Sequence, residues 1–236
     1  MIDILARTHV NWLECHILAQ NFQMEGQHFS EHDKAFYKDG YRLGTYAKSE
    51  ESEAKLFEAI SAMYKGIDEL IDSLLEMAKK QGIQVDCKKG CAWCCKQAVF
   101  ANSYEIHYLG RYIQKNFAES EKKAIIERAK FKNDKTEALG ETEVLNFKAD
   151  CPLLKNGVCS AYEARPMACR IYLSQKVNTC LDFYKNPEDE NNYPALLEFP
   201  LRAGRMMNEG FTAALKEDGT MTAEFRLEEG LLTFLQ

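Results

Sequence analysis

Cysteine placement constrains this chain more than any other feature of its sequence. Nine cysteines are present, and eight of them fall between residues 87 and 180. Charged residues interrupt the N-terminal apolar stretch, which also lacks the apolar segment and cleavage site of a signal peptide. We therefore expect a cytoplasmic protein, whose thiols stay reduced. In that compartment an odd total of cysteines, most of them clustered, indicates metal ligands before disulfides.

Composition and charge exclude several classes of protein. The 236 residues suffice for one or two compact domains. With 30 Lys and Arg against 36 Asp and Glu, the net charge is −6. Binding to nucleic acid or to an anionic membrane surface needs a basic face, so we expect neither partner. No apolar run approaches the ~20 residues that a membrane-spanning helix requires.

The clearest helical pattern lies between Ser49 and Gly82. Its apolar residues alternate in steps of four and three, which defines a narrow seam along one helix face. The seam residues are Leu56, Ile60, Met63, Ile67, Leu70, Leu74 and Met77. Ser49 is the expected N-cap and Gly82 the expected C-terminal stop. The seam predicts packing in an antiparallel bundle, with homodimerisation through the 50–80 helix as the alternative.

Other segments also carry helix signals. Asn102 and Glu105 predict a capping box at the start of one helix. A second helix is expected from Glu121 to Leu139, and a third near Leu201 to Leu215. We therefore predict a mainly α fold, a helical bundle with an inserted irregular, cysteine-rich metal-binding module. The expected divisions are an N-terminal helical region (1–82), the eight-cysteine module (83–186) and a C-terminal helical extension (187–236).

The eight clustered cysteines form two groups along the sequence. The first group is Cys87, Cys91, Cys94 and Cys95, and the second is Cys151, Cys159, Cys169 and Cys180. Asn156-Gly157 predicts a tight turn between the first two cysteines of the second group. Two loops with four thiols each are typical of metal sites, so we expect all eight to converge as ligands. Cys15 should stand apart. The adjacent pair Cys94-Cys95 suggests two sites, since neighbouring side chains diverge.

Positive charges accompany both groups. Lys88, Lys89 and Lys96 surround the first group, and Arg165 and Arg170 lie within the second. Cations near a thiol lower its pKa and stabilise the thiolate, which is the form that binds metal. Alternatively, the three lysines are solvated at the surface and do not act on the thiols.

These residues together resemble the CxxCxxCC cysteine-cluster family, a YkgJ-like group described as zinc- or iron-chelating or as containing an iron–sulfur cluster. The matching strings are CKKGCAWCC, followed by Glu105, and then Cys151-Pro152, Gly157, Cys159, Tyr162, Arg165-Pro166, Cys169-Arg170 and Cys180. One departure is the first gap, which holds three residues rather than two. The resemblance covers about residues 86 to 181.

The resemblance implies metal binding through the eight cysteines. Lys88, Arg165 and Arg170 are then candidates for residues that do not bind the metal themselves but contact the thiolates and orient them. Thiolates suit both zinc and iron–sulfur clusters, so both cofactors stay open. A flagellin lysine methylase shares this type of cluster, so the resemblance is also compatible with an enzyme.

Two other kinds of metal chemistry match parts of the sequence. The spacing Cys87-x3-Cys91-x2-Cys94 also matches the cluster motif of radical S-adenosylmethionine enzymes, but the chain shows no run of βα units. His28, Glu31 and His32 match H-x-x-E-H, yet Ser30 is the expected N-cap of a helix that would leave His28 outside. We therefore expect a metal-binding protein with a structural, metal-handling or redox-sensing role, with an S-adenosylmethionine-dependent protein-modifying enzyme as the alternative.

Overall fold

The computed structural model describes residues 29–49, 52–189, 191–217 and 219–235. These residues form a mainly helical protein, which confirms the predicted fold class. The helices are α1 (Glu31–Ala47), α2 (Glu53–Lys80), α3 (Ser103–Asn116), α4 (Glu119–Thr136), α5 (Glu141–Asn146), α6 (Met167–Ile171), α7 (Val177–Lys185), α8 (Glu198–Glu217) and α9 (Leu227–Leu235). The strands are β1 (Phe100–Asn102), β2 (Leu154–Lys155), β3 (Val158–Cys159) and β4 (Glu224–Arg226).

The first core lies between α1, α2 and α8. The middle of the predicted seam is buried there: Ile60, Met63 and Ile67 of α2 pack with Phe211 of α8. The seam therefore packs within the chain, as the bundle interpretation expects. Homodimerisation through this helix stays a prediction.

The second core joins α3, α4 and α9. It is built on Ile106, Leu109 and Ile113 of α3, Ile125 of α4 and Leu231 of α9. Strand β4 pairs antiparallel with β1, with Asn102 opposite Glu224. Elements from the start, middle and end of the chain thus share two cores, and the three-part division of the chain stays a prediction.

Several predicted helix ends agree with the structure. Asn102 and Glu105 form the capping box of α3, and the Asn102 N–H donates to Glu105 Oε2 at 3.1 Å. Ser30 caps α1, since its Oγ accepts a hydrogen bond from the Asp33 N–H at 3.1 Å. Gly82 follows α2 with φ of 73°, the left-handed conformation that suits glycine after a helix.

Other predicted ends are wrong by a few residues. Ser52, not Ser49, is the N-cap of α2. The Ser49 N–H donates to the Tyr46 carbonyl at 3.1 Å, so Ser49 belongs to the turn that closes α1.

The helix predicted over Glu121–Leu139 runs instead from Glu119 to Thr136, with Ala118 as its N-cap. The Ala118 N–H donates to the Glu121 carboxylate at 3.4 Å, so capping begins three residues before Glu121. Gly140 is the N-cap of the next helix, α5. The helix predicted near Leu201–Leu215 is longer on both sides, and the unassigned tail forms β4 and α9.

Candidate metal centre

The first cysteine loop lies between α2 and β1. Gly90 has φ of 96°, which lets the chain turn tightly, and the Cys91 N–H donates to the Lys88 carbonyl at 2.9 Å. A short 3₁₀ helix then covers Cys94–Lys96. Successive residues of a 3₁₀ helix are separated by about 120°, so Cys94 and Cys95 leave the backbone in different directions.

A tight hairpin brings two cysteines of the second group together. Strands β2 and β3 pair with Leu154 opposite Cys159. The turn between them places Asn156 at φ of 53° and Gly157 at φ of 76°, which confirms the predicted Asn-Gly turn. The Leu154 N–H also donates to the Cys151 carbonyl at 2.9 Å. Cys151 and Cys159 therefore lie at the same end of the hairpin.

The remaining two cysteines lie on short helices. Cys169 is in α6, immediately after the hairpin and a 3₁₀ turn over Tyr162–Ala164. Cys180 is buried in α7. The eight cysteines described here are all free thiols. Cys15 lies outside the described residues.

Four of the thiols surround one small cavity. Cys87, Cys91, Cys94 and Cys180 line it together with Tyr172, Ser174 and Val177. Its volume is about 10 Å³, close to the smallest space that holds one water-sized particle. We call these four cysteines the outer cluster.

Asp86 fixes the two sides of the outer cluster to each other. Its N–H donates to the Gln175 carbonyl at 3.2 Å, and its Oδ2 accepts from the Val177 N–H at 3.1 Å. The loop of Cys87 is thereby joined to the start of α7, the helix that carries Cys180.

The other four thiols form a second group, which we call the inner cluster: Cys95, Cys151, Cys159 and Cys169. Cys95, Cys151 and Cys159 pack in the same apolar core. The Cys151 N–H donates to the Cys95 carbonyl at 2.7 Å, and the Ala149 N–H donates to the Lys96 carbonyl at 3.0 Å. Cys169 is the remaining described thiol and does not line the small cavity. Burial, with the thiols of Cys151, Cys95 and Cys159 adding to it, raises its pKa.

The spatial grouping differs from the grouping along the sequence. Cys180, last of the second sequence group, lies with the outer cluster, and Cys95, last of the first group, lies with the inner cluster. The adjacent residues Cys94 and Cys95 thus belong to different clusters. Their thiols remain in hydrogen-bond contact, which together with burial raises the pKa of Cys95.

Burial raises the pKa of the inner thiols. It raises the pKa of Cys151 to about 12, with the thiols of Cys95 and Cys159 adding to the shift. Burial likewise raises the pKa of Cys159. Buried thiols are soft donors that ionise when a metal cation replaces their protons, so the donor set fits zinc or an iron–sulfur cluster.

The side chains do not stand in a formed coordination shell. Throughout the described residues, no three Cys, His, Asp or Glu side chains lie close enough together to ligate one metal ion. Closing a shell in either cluster therefore requires the thiols to move toward one another.

Arg165 and Arg170 are anchored beside the inner cluster. Arg165 donates to the Tyr162 carbonyl at 2.8 Å and to Asp68 Oδ1 at 3.1 Å. Arg170 is buried and donates to Asp68 and to the Glu163 and Arg165 carbonyls. Both guanidinium charges act to lower the pKa of Cys159, against the larger effect of burial. Their predicted role around a bound group stays a prediction.

The structure adds a cation that the sequence analysis missed. Lys132 of α4 is 2% exposed and lies near Cys95 and Cys151. Its positive charge acts to lower the pKa of both thiols. Its Nζ donates to the Gln97 carbonyl at 3.1 Å and lies 3.7 Å from Glu228 Oε2. The sequence could have indicated this burial, because Lys132 falls between Ala129 and Thr136 in the buried stripe of α4.

A larger cavity adjoins the outer cluster. It has a volume of about 600 Å³, and Cys91 lines both this cavity and the small one. Lys88, the third predicted contact residue, lies on its wall with Trp93 and Asp86. The outer cluster therefore faces a wide opening on one side, whereas the inner cluster is packed in the second core.

The H-x-x-E-H string is only partly visible. Glu31 and His32 lie in the first turn of α1, and the His32 ring contacts Phe199 with 6.2 Å between ring centroids. His28 lies outside the described residues.

Residues 86–192 match the family model CxxCxxCC, described as a putative zinc- or iron-chelating domain. This match confirms the resemblance drawn from the cysteine strings, and the matched residues include both cysteine clusters. A search of curated proteins found no match, and neither did a search of solved structures. None of the helices in the described residues is long and apolar enough to cross a membrane.

Proposed function

We propose that residues 86–192 form a metal-binding module that holds zinc or an iron–sulfur cluster through its eight cysteine thiolates. Its role is structural, metal-handling or redox-sensing. The observation that carries the proposal is the set of four cysteines around a cavity of about 10 Å³, drawn from segments as distant as Cys87 and Cys180. Apolar packing alone gives no reason for four thiols to share one small cavity.

The residues around this cavity favour binding over catalysis. Besides the four thiols, its lining consists of Tyr172, Ser174 and Val177, with no His, Asp, Glu or Lys among them. Tyr and Cys can also transfer protons in general acid–base catalysis, but His, the residue that does so most often, is absent from this lining. A four-thiolate shell around zinc is also closed, which leaves no position for a substrate.

The bound group would decide the role. Zinc has no redox chemistry and would stabilise the loops, whereas an iron–sulfur cluster would add one-electron chemistry. In both cases the thiols bind as thiolates, and the chain's contribution is to bring them together and to place Lys132, Arg165 and Arg170 near the resulting negative charge.

Elemental analysis and the visible spectrum of anaerobically purified full-length protein test the proposal. We expect stoichiometric zinc in a colourless sample, or iron with sulfide in a brown one. Cys15→Ser serves as the control and should leave the metal content unchanged. A chain that carries neither metal, and takes up neither after reconstitution, would contradict the proposal.

A further inference from the structure

We propose that the eight thiols make two separate four-thiolate centres, one from Cys87, Cys91, Cys94 and Cys180 and the other from Cys95, Cys151, Cys159 and Cys169. This inference rests on the proposed metal-binding function and goes beyond it by assigning each ligand. The centres are interleaved, because each combines three cysteines of one sequence group with one of the other.

The outer centre is assigned from the small cavity and from Asp86. All four outer thiols line that cavity, and no inner thiol does. Asp86 hydrogen-bonds to Gln175 and Val177, which holds the Cys87 loop against α7 and its Cys180. Cys87 packs against the first core, away from the core that contains the inner thiols.

The inner centre is assigned from backbone pairing and a shared core. The Cys151 N–H donates to the Cys95 carbonyl at 2.7 Å, and the hairpin register carries Cys159 to the same place. Cys95, Cys151 and Cys159 share the second core. Cys169 does not line the small cavity, and its helix α6 follows the hairpin after one 3₁₀ turn, so it is assigned here as the remaining thiol.

Cys94 and Cys95 divide the two centres. Their positions on one 3₁₀ helix direct the two side chains to different clusters. Because they are consecutive residues, the two centres lie side by side. The arrangement explains the vicinal Cys-Cys pair: each residue closes a different shell.

Two double variants separate the spatial assignment from the sequence grouping. Cys87→Ser with Cys180→Ser removes two ligands of one proposed centre, although the residues come from different sequence groups. Cys169→Ser with Cys180→Ser removes one ligand from each proposed centre, although both residues come from the second sequence group. The readout is zinc or iron per chain in the anaerobically purified full-length variants, with the circular dichroism of the helices as a folding control.

We expect the first double variant to keep about half of the wild-type metal and the second to lose nearly all of it. The reverse pattern would overturn the assignment in favour of the sequence grouping. Complete loss in both variants, with helical content preserved, would overturn it in favour of one polynuclear centre. A wild-type chain without metal would instead refute the proposed function, so the two failures are distinguishable.

Partial demetallation of the wild type avoids any folding defect of the variants. A chelator removes part of the metal, an alkylating reagent labels the exposed thiols, and mass spectrometry maps them. We expect Cys87, Cys91, Cys94 and Cys180 to become labelled together, separately from the other four. Labelling that follows the sequence groups, or that reaches all eight thiols at once, would overturn the assignment.

Discussion

A single buried carboxylate, Glu105, joins three parts of the molecule. It is 1% exposed and accepts hydrogen bonds from the Tyr64 hydroxyl at 2.9 Å, the Met167 N–H at 2.7 Å and the Asn102 N–H at 3.1 Å. These donors belong to α2, to the start of α6 and to the cap of α3. Glu105 therefore positions α6, the helix that carries Cys169.

Glu105→Ala should lower the free energy of unfolding by about 3 kcal/mol or more, because it leaves three buried donors without an acceptor. Urea unfolding followed by circular dichroism measures the effect. Glu127→Ala is the matched control, since Glu127 is exposed on α4 and its loss should change little. An equal urea midpoint for both variants would show that the three hydrogen bonds contribute nothing to stability.

Glu224 predicts a pH dependence of stability. Burial, with the nearby Glu105 charge adding to it, raises the pKa of Glu224 from 4.5 to about 7. A raised pKa means that the folded chain binds the proton more tightly than the unfolded chain. Its stabilising contribution is therefore complete below pH 4.5 and lost as the pH rises through 7.

Glu224→Gln should remove this loss, because glutamine stays neutral. At pH 8 the variant should exceed the wild type in free energy of unfolding by up to about 3 kcal/mol, and near pH 4.5 the difference should vanish. Urea unfolding of both proteins at pH 5, 6.5 and 8 measures the difference. A difference that stays constant across this series would contradict the raised pKa of Glu224.

At the scale of elements, close backbone contact fixes how α1 crosses α8. A Cβ added to Gly210 would lie 2.0 Å from the Tyr37 carbonyl oxygen, and one added to Gly40 would lie 1.8 Å from that of Met207. Both distances are far below van der Waals contact. Glycine is required on each helix because the partner backbone occupies the space of a side chain.

Gly210→Ala should destabilise the protein by about 1–3 kcal/mol, because α1 and α8 must separate to make room for the methyl group. Gly66→Ala is the matched control: Gly66 is exposed within α2, and nothing lies within 4 Å of its added Cβ. The control should stabilise by about 0.5–1 kcal/mol, since alanine loses less entropy in a helix. Thermal unfolding with shifts of the same sign in both variants would contradict the packing argument.

At the scale of the whole molecule, metal ligation and apolar packing stabilise different regions. The core of α1, α2 and α8 is built from residues such as Ile60, Met63 and Phe211. The segments around the cysteines contain short helices, two-residue strands and turns, which have little regular structure of their own. Ligation should therefore supply much of their order.

Removal of metal should increase amide hydrogen exchange across residues 86–181 while helix α2 stays protected. Hydrogen exchange of the metal-loaded and metal-free full-length protein, resolved by peptide, measures both regions. Unchanged exchange across 86–181 would show that ligation is unnecessary for the order of the module. Equal loss of protection in α2 would show that the bundle also depends on metal.

The two clusters should also release metal at different rates. The outer cluster adjoins a cavity of about 600 Å³, whereas the inner cluster is packed in the second core beside the buried Lys132. Under excess chelator, metal loss should be biphasic, with the outer thiols becoming reactive first. A single phase, or earlier labelling of the inner thiols, would contradict this order.

Much of the local structure follows from the sequence by itself. The seam of α2, the N-cap at Ser30, the capping box at Asn102 and the Asn156-Gly157 turn were all predictable. Each depends on residues at most a few turns apart, so the spacing of apolar and capping side chains suffices. The cysteine strings likewise predicted the chelating family that matches residues 86–192.

The distribution of the thiols between clusters was decided only by the tertiary structure. Cys180 meets Cys87 because Asp86 pairs with the start of α7, and Cys95 meets Cys151 through a backbone hydrogen bond. The tertiary structure likewise decided the contacts of Gly40 and Gly210 and the pairing of β1 with β4. Such contacts join residues that are far apart in sequence, and their free energy comes from packing the whole chain. A local pattern therefore shows which side chains can bind metal, but only the folded backbone determines which four of them meet.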